Sequence, residues 1–286
     1  LLLRRRPLKP KRRRNRSLNS EPFLRRRKPP WPKRSRFVSI RSLATAFGAI
    51  LMLAACAAGK PTGPRSDLML MTSLPLRSGE ASIQEQLSGG GSPAPAYVDL
   101  QRNYDIRTLD DLDGLKPEGA RRAPTGILLL AQPRALNPAE LVALDGWLRA
   151  GGKALILADP ALHWESRYPI GDARRPLFTS LLSPLFSHWG IELVMPMDRA
   201  GQAPALDVRG ERIETRSPGA FATLADVPDP AAKCAIDTTR LIADCAVGKG
   251  RALLLADADV LQPGLWGREG NGALITELLA ELSGAE

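Results

Sequence analysis

Asp159, Asp257 and Asp259 each stand just past an apolar run, KALILA before the first and RALLLA before the other two, and His163 and Trp164 follow Asp159 closely. Carboxylates gathered at strand ends can bind a hard cation through oxygen, or serve with a histidine as the acid and base of a hydrolase. The plainer use is capping, since aspartates after strands commonly accept the free amides of helix starts and loops. No spaced metal motif such as His-Glu-x-x-His accompanies them. No catalytic residue, metal or cofactor is therefore expected, and Ser73, Gln132, Asp159, His163, Trp164, Asp257 and Asp259 form a candidate ligand crevice. His188, beside Trp189, reads as a packed or capping residue, and Arg174 and Arg175 as a solvated helix start that could meet an anion.

The element that must position these groups is GILLLAQPRALNPAELVALDGWLRAGGKALILADP, residues 126–160. Ile127–Ala131 and Lys153–Ala158 are short apolar runs, the pattern of strands buried on both faces of a parallel sheet. Between them Asn137 can cap a helix, Pro138 suits its first position and Glu140 completes a capping box. Leu141, Leu144 and Leu148 recur at helical spacing, and Gly151 suits a left-handed stop. In such a strand–helix–strand unit the ligand crevice lies beyond the carboxyl ends of the strands, here Gln132-Pro133 and Asp159-Pro160.

Around this unit, Asp67–Ser73 and Tyr104–Leu109 read as further strands, with Ser73 on the crevice side. Ser82–Leu87 reads as a short helix and Ser88–Ala96 as a mobile loop. Asp110–Asp113 begins a turn or short helix. Asp172 can cap a helix running through Leu177, Leu181, Leu182, Leu185 and Phe186, followed by a strand at Ile191–Met195. Short strands are expected around Leu206–Val208 and Arg212–Thr215. Arg240–Cys245 and Arg251–Ala256 flank Val247-Gly248-Lys249-Gly250 as a hairpin, and Asn271–Leu282 is a C-terminal helix.

The net charge of +10 misleads, because 17 of the 40 Lys and Arg residues fall in residues 1–42 against the single acid Glu21. The rest holds 23 basic against 29 acidic residues, a balance of −6. A folded nucleic-acid-binding surface is not expected from that distribution. Residues 1–42 form a basic leader, read as a disordered arm or as sequence upstream of a true start near Val38. Leu43–Ala55 is too short an apolar run to span a membrane and suits a signal-peptide core. Leu53-Ala54-Ala55-Cys56 has the order of a bacterial lipobox, making Cys56 the expected lipidation site. Residues 57–66 then read as a tether and 67–286 as one α/β domain. With Cys56 lipidated and the domain exported, Cys234 and Cys245 are left to pair as a disulfide across the turn Asp237-Thr238-Thr239.

Residues 67–160 and 240–282, through AQPRALNPAELVALDGWLRAGGKALILADP and GKGRALLLADADVL, resemble the GldG-like auxiliary domain of uncharacterised ABC-type transport systems, a relative of the class I glutamine amidotransferase-like fold. The resemblance implies a flavodoxin-like three-layer sandwich with a mostly parallel sheet, to which the residues themselves add a C-terminal hairpin. It also implies permease and ATPase components as partners. Amidotransferase-like enzymes carry a nucleophilic cysteine after the strand matching Lys153–Ala158, where this chain has Asp159-Pro160. Neither residue supplies a thiol, Pro160 has no amide for an oxyanion hole, and no Gly-x-Ser-x-Gly elbow occurs elsewhere. The expected protein is a periplasmic, lipid-anchored, non-catalytic accessory module. The alternative is an envelope hydrolase using Asp159, Asp257 and His163.

Overall fold

Each apolar run on either side of Asn137–Ala150 forms a strand with its residues shielded from both faces. In the computed structural model, which describes residues 65–115, 125–195, 205–227, 230–268 and 270–284, these are β3, Ile127–Ala131, and β4, Lys153–Leu157. The helix between them, Pro138–Arg149, starts on the expected capping box: the Asn137 side chain accepts from Glu140 N at 3.0 Å, and Glu140 Oε2 accepts from Asn137 N at 2.9 Å. Its buried face is Ala143, Leu144, Trp147 and Leu148, and Gly151 ends it at φ +115°, where a side chain would be strained.

Glu140 does more than cap. It is buried, and it accepts from Arg134 Nη1 and Nη2 at 3.0 and 2.6 Å and from Leu112 N at 3.4 Å. The Arg134 contact holds its carboxyl below the ordinary 4.5 against the opposing effect of burial. Because the folded value is depressed, the stability it contributes is present above 4.5 and is lost as pH falls through the lowered value. Glu140→Gln should lower stability at neutral pH by about 1–3 kcal/mol, read as a fall in the urea midpoint at unchanged slope, and should flatten the acid limb of a midpoint-against-pH curve; an unchanged acid limb would show that another carboxylate governs it.

Around β3 and β4 a seven-stranded sheet assembles in the order β2-β1-β3-β4-β11-β10-β9. Here β1 is Ser66–Thr72, β2 Tyr104–Thr108, β9 Lys233–Ile236, β10 Ile242–Val247 and β11 Gly250–Leu255. Strands β2, β1, β3, β4 and β11 are parallel, while β10 runs against β11 and β9 against β10. The chain leaves β1 toward β2 on one side and returns to β3 on the other, so the order reverses at β1/β3. The fold is the expected α/β sandwich with a mostly parallel sheet and a C-terminal hairpin.

In chain order the helices are α1, Ile83–Leu87, α2, Pro95–Asn103, α3, Pro138–Arg149, α4, Ser183–His188, α5, Pro263–Trp266, and α6, Asn271–Ser283. Helix α6 packs on β3, β4 and β11, and α3 on β10 and β11. Buried Leu274, Ile275, Leu278, Leu279 and Leu282 carry the α6 contact. No helix among the described residues is long and apolar enough to cross a membrane.

Cys234 and Cys245 face each other across β9 and β10 and form the expected disulfide, with Cα atoms 4.0 Å apart and 11 residues of separation. Directly opposed positions in an antiparallel pair approach to about 4.5–5.5 Å, so the register of β9 on β10 is what brings the two thiols within reach. Closing so short a loop stabilises by roughly 2–3 kcal/mol on the chain-entropy model.

The structure corrects several boundaries. Helix α2 begins at Pro95 inside the stretch read as a loop, and Ala94, Ala96, Tyr97 and Leu100 are buried, so the end of SGGGSPAPA is packed. The helix expected from Asp172 is only α4; Asp172 instead closes a local turn, accepting from Arg174 N at 2.9 Å and from its guanidinium. Pro184 occupies the first turn of α4, where its missing N–H and fixed φ set a start rather than an interior. The strand at 191–195 is β5, Ile191–Val194, which leaves the main sheet and pairs with β8, Ala220–Thr223, a strand the sequence did not signal. Strands β6, Ala205–Val208, and β7, Glu211–Glu214, form the other small sheet. His188 stands at the end of α4, where its carbonyl accepts from Ala231 N at 3.0 Å; its imidazole is not packed into the core but 56% exposed, with Nε2 3.9 Å from Asp145 Oδ2. The basic leader, Leu43–Ala55, Cys56 and residues 57–64 lie outside the described residues.

Candidate functional site

Strand register brings the aspartates together. Leu157 of β4 pairs with Leu255 of β11, so Asp159 and Asp257, each two residues farther on, leave the sheet at one level. Asp259 opens a short 3-10 helix, Asp259–Leu261, directly after. One carboxylate oxygen from each of the three lies within 4.8 Å of the others, and all three residues have no exposed surface.

Fixed donors aim these carboxylates. Asp159 accepts from Ala161 N at 2.8 Å and Ala258 N at 3.1 Å. Asp257 accepts from Val260 N at 3.2 Å and from the hydroxyl of buried Thr215. Asp259 Oδ1 accepts from His163 N at 3.0 Å and Gln262 Nε2 at 2.5 Å, while its Oδ2 is buried with no hydrogen-bond partner. The amide bonds to Asp159 and Asp257 are the capping role that the sequence suggests.

Burial drives all three carboxyls upward, because the charged form loses its hydration. Asp159 is pushed well above 3.8 by burial and then by the neighbouring charges of Asp257 and Asp259. Asp257 is pushed up to about 7 by burial and by Asp259, against the pull of Thr215. Asp259 is raised by burial and partly restrained by Gln262, the His163 amide and the positive charge of Arg216. Two like charges at this spacing repel by roughly 3–4 kcal/mol at an effective dielectric of about 20. The cluster therefore favours bound protons or a bound cation over three bare charges.

The other crevice residues divide by role. Gln132 is fully buried at φ 41° and spans from β3 to the start of the loop after β4: its Oε1 accepts from Asp159 N at 2.8 Å, and its Nε2 donates to Asp159 O at 3.2 Å and Leu177 O at 3.0 Å. Ser73 donates to Gln132 O at 2.6 Å, closing the β1/β3 switch point. His163 reaches Asp259 through its backbone while the residue itself is exposed. It lines a cavity of about 370 Å³ with Trp164, Glu165, Arg175, Arg216 and Gln262. Arg175 is braced by donation to Tyr168 O at 2.6 Å, and Arg174, outside that cavity, pairs with Asp172 and lies 4.1 Å over the Tyr168 ring.

Thr215, Arg216 and Gln262 were not among the expected crevice residues. Thr215 and Arg216 follow a short strand in a weakly patterned region, and nothing local marks them as partners of an aspartate more than forty positions away. Gln262, three residues after Asp259, was the one accessible signal, since that spacing lets a short helix close on its own first side chain.

Residues 68–200 match the family model described as ABC-type uncharacterized transport system. This bears out the auxiliary-domain resemblance carried by residues 126–160 and indicates an auxiliary component of such a system. No curated protein matches the chain significantly. Among solved structures, the mmIFT52 N-terminal domain aligns at 14% identity over 76% of this chain and 97% of its own, with a TM-score of 0.40. The GH42 beta-galactosidase Gan42B from G. stearothermophilus aligns at 13% identity over 85% of this chain and 33% of its own, with a TM-score of 0.39. The exo-beta-1,4-mannosidase Op5Man5 from Opitutaceae bacterium strain TAV5 aligns at 14% identity over 83% and 37%, with a TM-score of 0.36. Likenesses this weak carry no argument about activity.

Proposed function

We propose that this chain is a lipid-anchored accessory module of an ABC-type envelope transport system, tethered through Cys56 on the periplasmic side, and that it binds at its carboxyl-end crevice without catalysing a reaction. The family match over residues 68–200 carries the transport assignment. The crevice supports a binding role: Asp159-Pro160 stands where amidotransferase-like enzymes place their nucleophile, and the Asp159 carboxylate is fully buried and engaged by two backbone amides. The disulfide between Cys234 and Cys245 supports export, because paired cysteines persist in oxidising compartments. The partners are the permease and ATPase of the system, and the membrane is met through the lipid on Cys56.

The anchor has a direct test. Cells expressing the full chain and fed a palmitate analogue should label the wild type and not Cys56→Ser, and the variant should leave the membrane fraction. Equal labelling of both removes the anchor from this reading. Hydrolysis of glycan or ester substrates by the purified protein, abolished in Asp159→Asn, would overturn the non-catalytic reading in favour of the hydrolase.

A further inference from the structure

We propose that Asp159, Asp257 and Asp259 bind a single divalent cation, with Ca²⁺ preferred over Mg²⁺. Three fully buried carboxylates each bring an oxygen within 4.8 Å of the other two. The capping role accounts for the amide bonds to Asp159 and Asp257 but gives Asp259 Oδ2 nothing, and that oxygen is buried without a partner. A buried oxygen without a donor is costly unless a proton or cation meets it. Capping by one aspartate does not call for two further buried carboxylates beside it.

The donors are arranged as the outer support of a cation site. Asp159 and Asp257 take one hydrogen bond on each oxygen, so each oxygen keeps a second lone pair for a metal. Most of these donors are backbone N–H groups fixed by the strand ends and the short helix after β11, which hold ligand orientation. A buried site built from three protein carboxylates suits Ca²⁺, which takes protein oxygens in place of its waters, better than Mg²⁺, which dehydrates reluctantly and keeps several waters. His163 and Gln262, which bond Asp259, also line the adjoining cavity of about 370 Å³, giving the cluster a shared wall with a space open to water and ions. Arg216 faces Asp259 and Arg175 lines the same cavity; two guanidiniums leave the three carboxylates in charge excess.

The full chain, purified in detergent and stripped with EDTA, provides the test. With metal removed, Asp257→Asn and Asp259→Asn should melt above the wild type, because each relieves repulsion among buried charges. In CaCl₂ at a hundredfold excess over Kd the wild type should gain about 5 °C or more and overtake both variants, which should not move. MgCl₂ should give a clearly smaller gain. Titration calorimetry on the wild type alone should show one Ca²⁺ per chain, a readout that needs no variant to fold. Absence of calcium binding to the wild type overturns the proposal, as does an equal shift in wild type and variants; an equal response to MgCl₂ overturns the stated preference. The inference stands apart from the transport reading, since a failed calcium titration leaves the family assignment and the lipid anchor untouched.

Discussion

Gly250→Ala should destabilise the domain by roughly 3 kcal/mol, near the upper end for overpacking, and lower its melting temperature by about 6–12 °C. A Cβ at Gly250 would lie 2.2 Å from Leu148 O and 2.3 Å from Gly152 O. Both are backbone atoms that cannot swing aside as a flexible side chain would. The Leu148 carbonyl is held by Gly151 N at 2.8 Å, and the Gly152 carbonyl by Arg251 N at 3.1 Å. The hairpin turn before β11 is thus pressed onto the end of α3, and that contact sets the level at which β11 delivers Asp257. Gly146→Ala is the matched control: it lies on an exposed face inside α3, its added methyl meets nothing within 4 Å, and it should stabilise by about 0.5–1 kcal/mol. Urea midpoints with unchanged slopes measure both. A wild-type midpoint for Gly250→Ala contradicts the packing of the hairpin on α3.

Gln132→Leu should lose about 2–4 kcal/mol, although glutamine at a crevice mouth would ordinarily be taken for a ligand contact. The substitution removes three hydrogen bonds and leaves Asp159 N and Leu177 O without this partner inside the protein. Asp159 O keeps its bond from Ser180 N at 2.7 Å, which limits the loss. The urea midpoint again decides: a change below about 0.5 kcal/mol would mean that these bonds are not sustained in solution and that Gln132 is free to meet a ligand.

The sequence made visible those parts of the fold whose signals are local. Asn137, Pro138, Glu140 and Gly151 mark both ends of α3 by chemistry that acts within one turn, and the boundaries follow. The apolar runs of β3, β4 and β11 placed Asp159 and Asp257 at strand ends, so their convergence could be anticipated; only the register of β4 on β11 shows that they leave the sheet at the same level. Helix α2 was hidden by composition, because Gly, Ser, Pro and Ala before Pro95 read as a loop while the buried pair Tyr97 and Leu100 is too brief to show a period. The helix expected from Asp172 failed because Pro176 and Pro184 interrupt the leucines at helical spacing, and before α4 only Leu182 of Leu177, Leu181 and Leu182 is buried. Thr215 and Arg216 reach the site from a separate small sheet, a placement that no local pattern encodes.

An accessory component of an ABC-type transport assembly should be recoverable together with that assembly. The full-length protein, tagged at its chromosomal locus and extracted from membranes in mild detergent, should co-purify with an ABC-type ATP-binding subunit and a polytopic permease, both identified by mass spectrometry and both depleted when Cys56→Ser replaces the wild type. Recovery of the lipidated protein with neither subunit, from membranes in which both are detected, would show that it does not act in such an assembly.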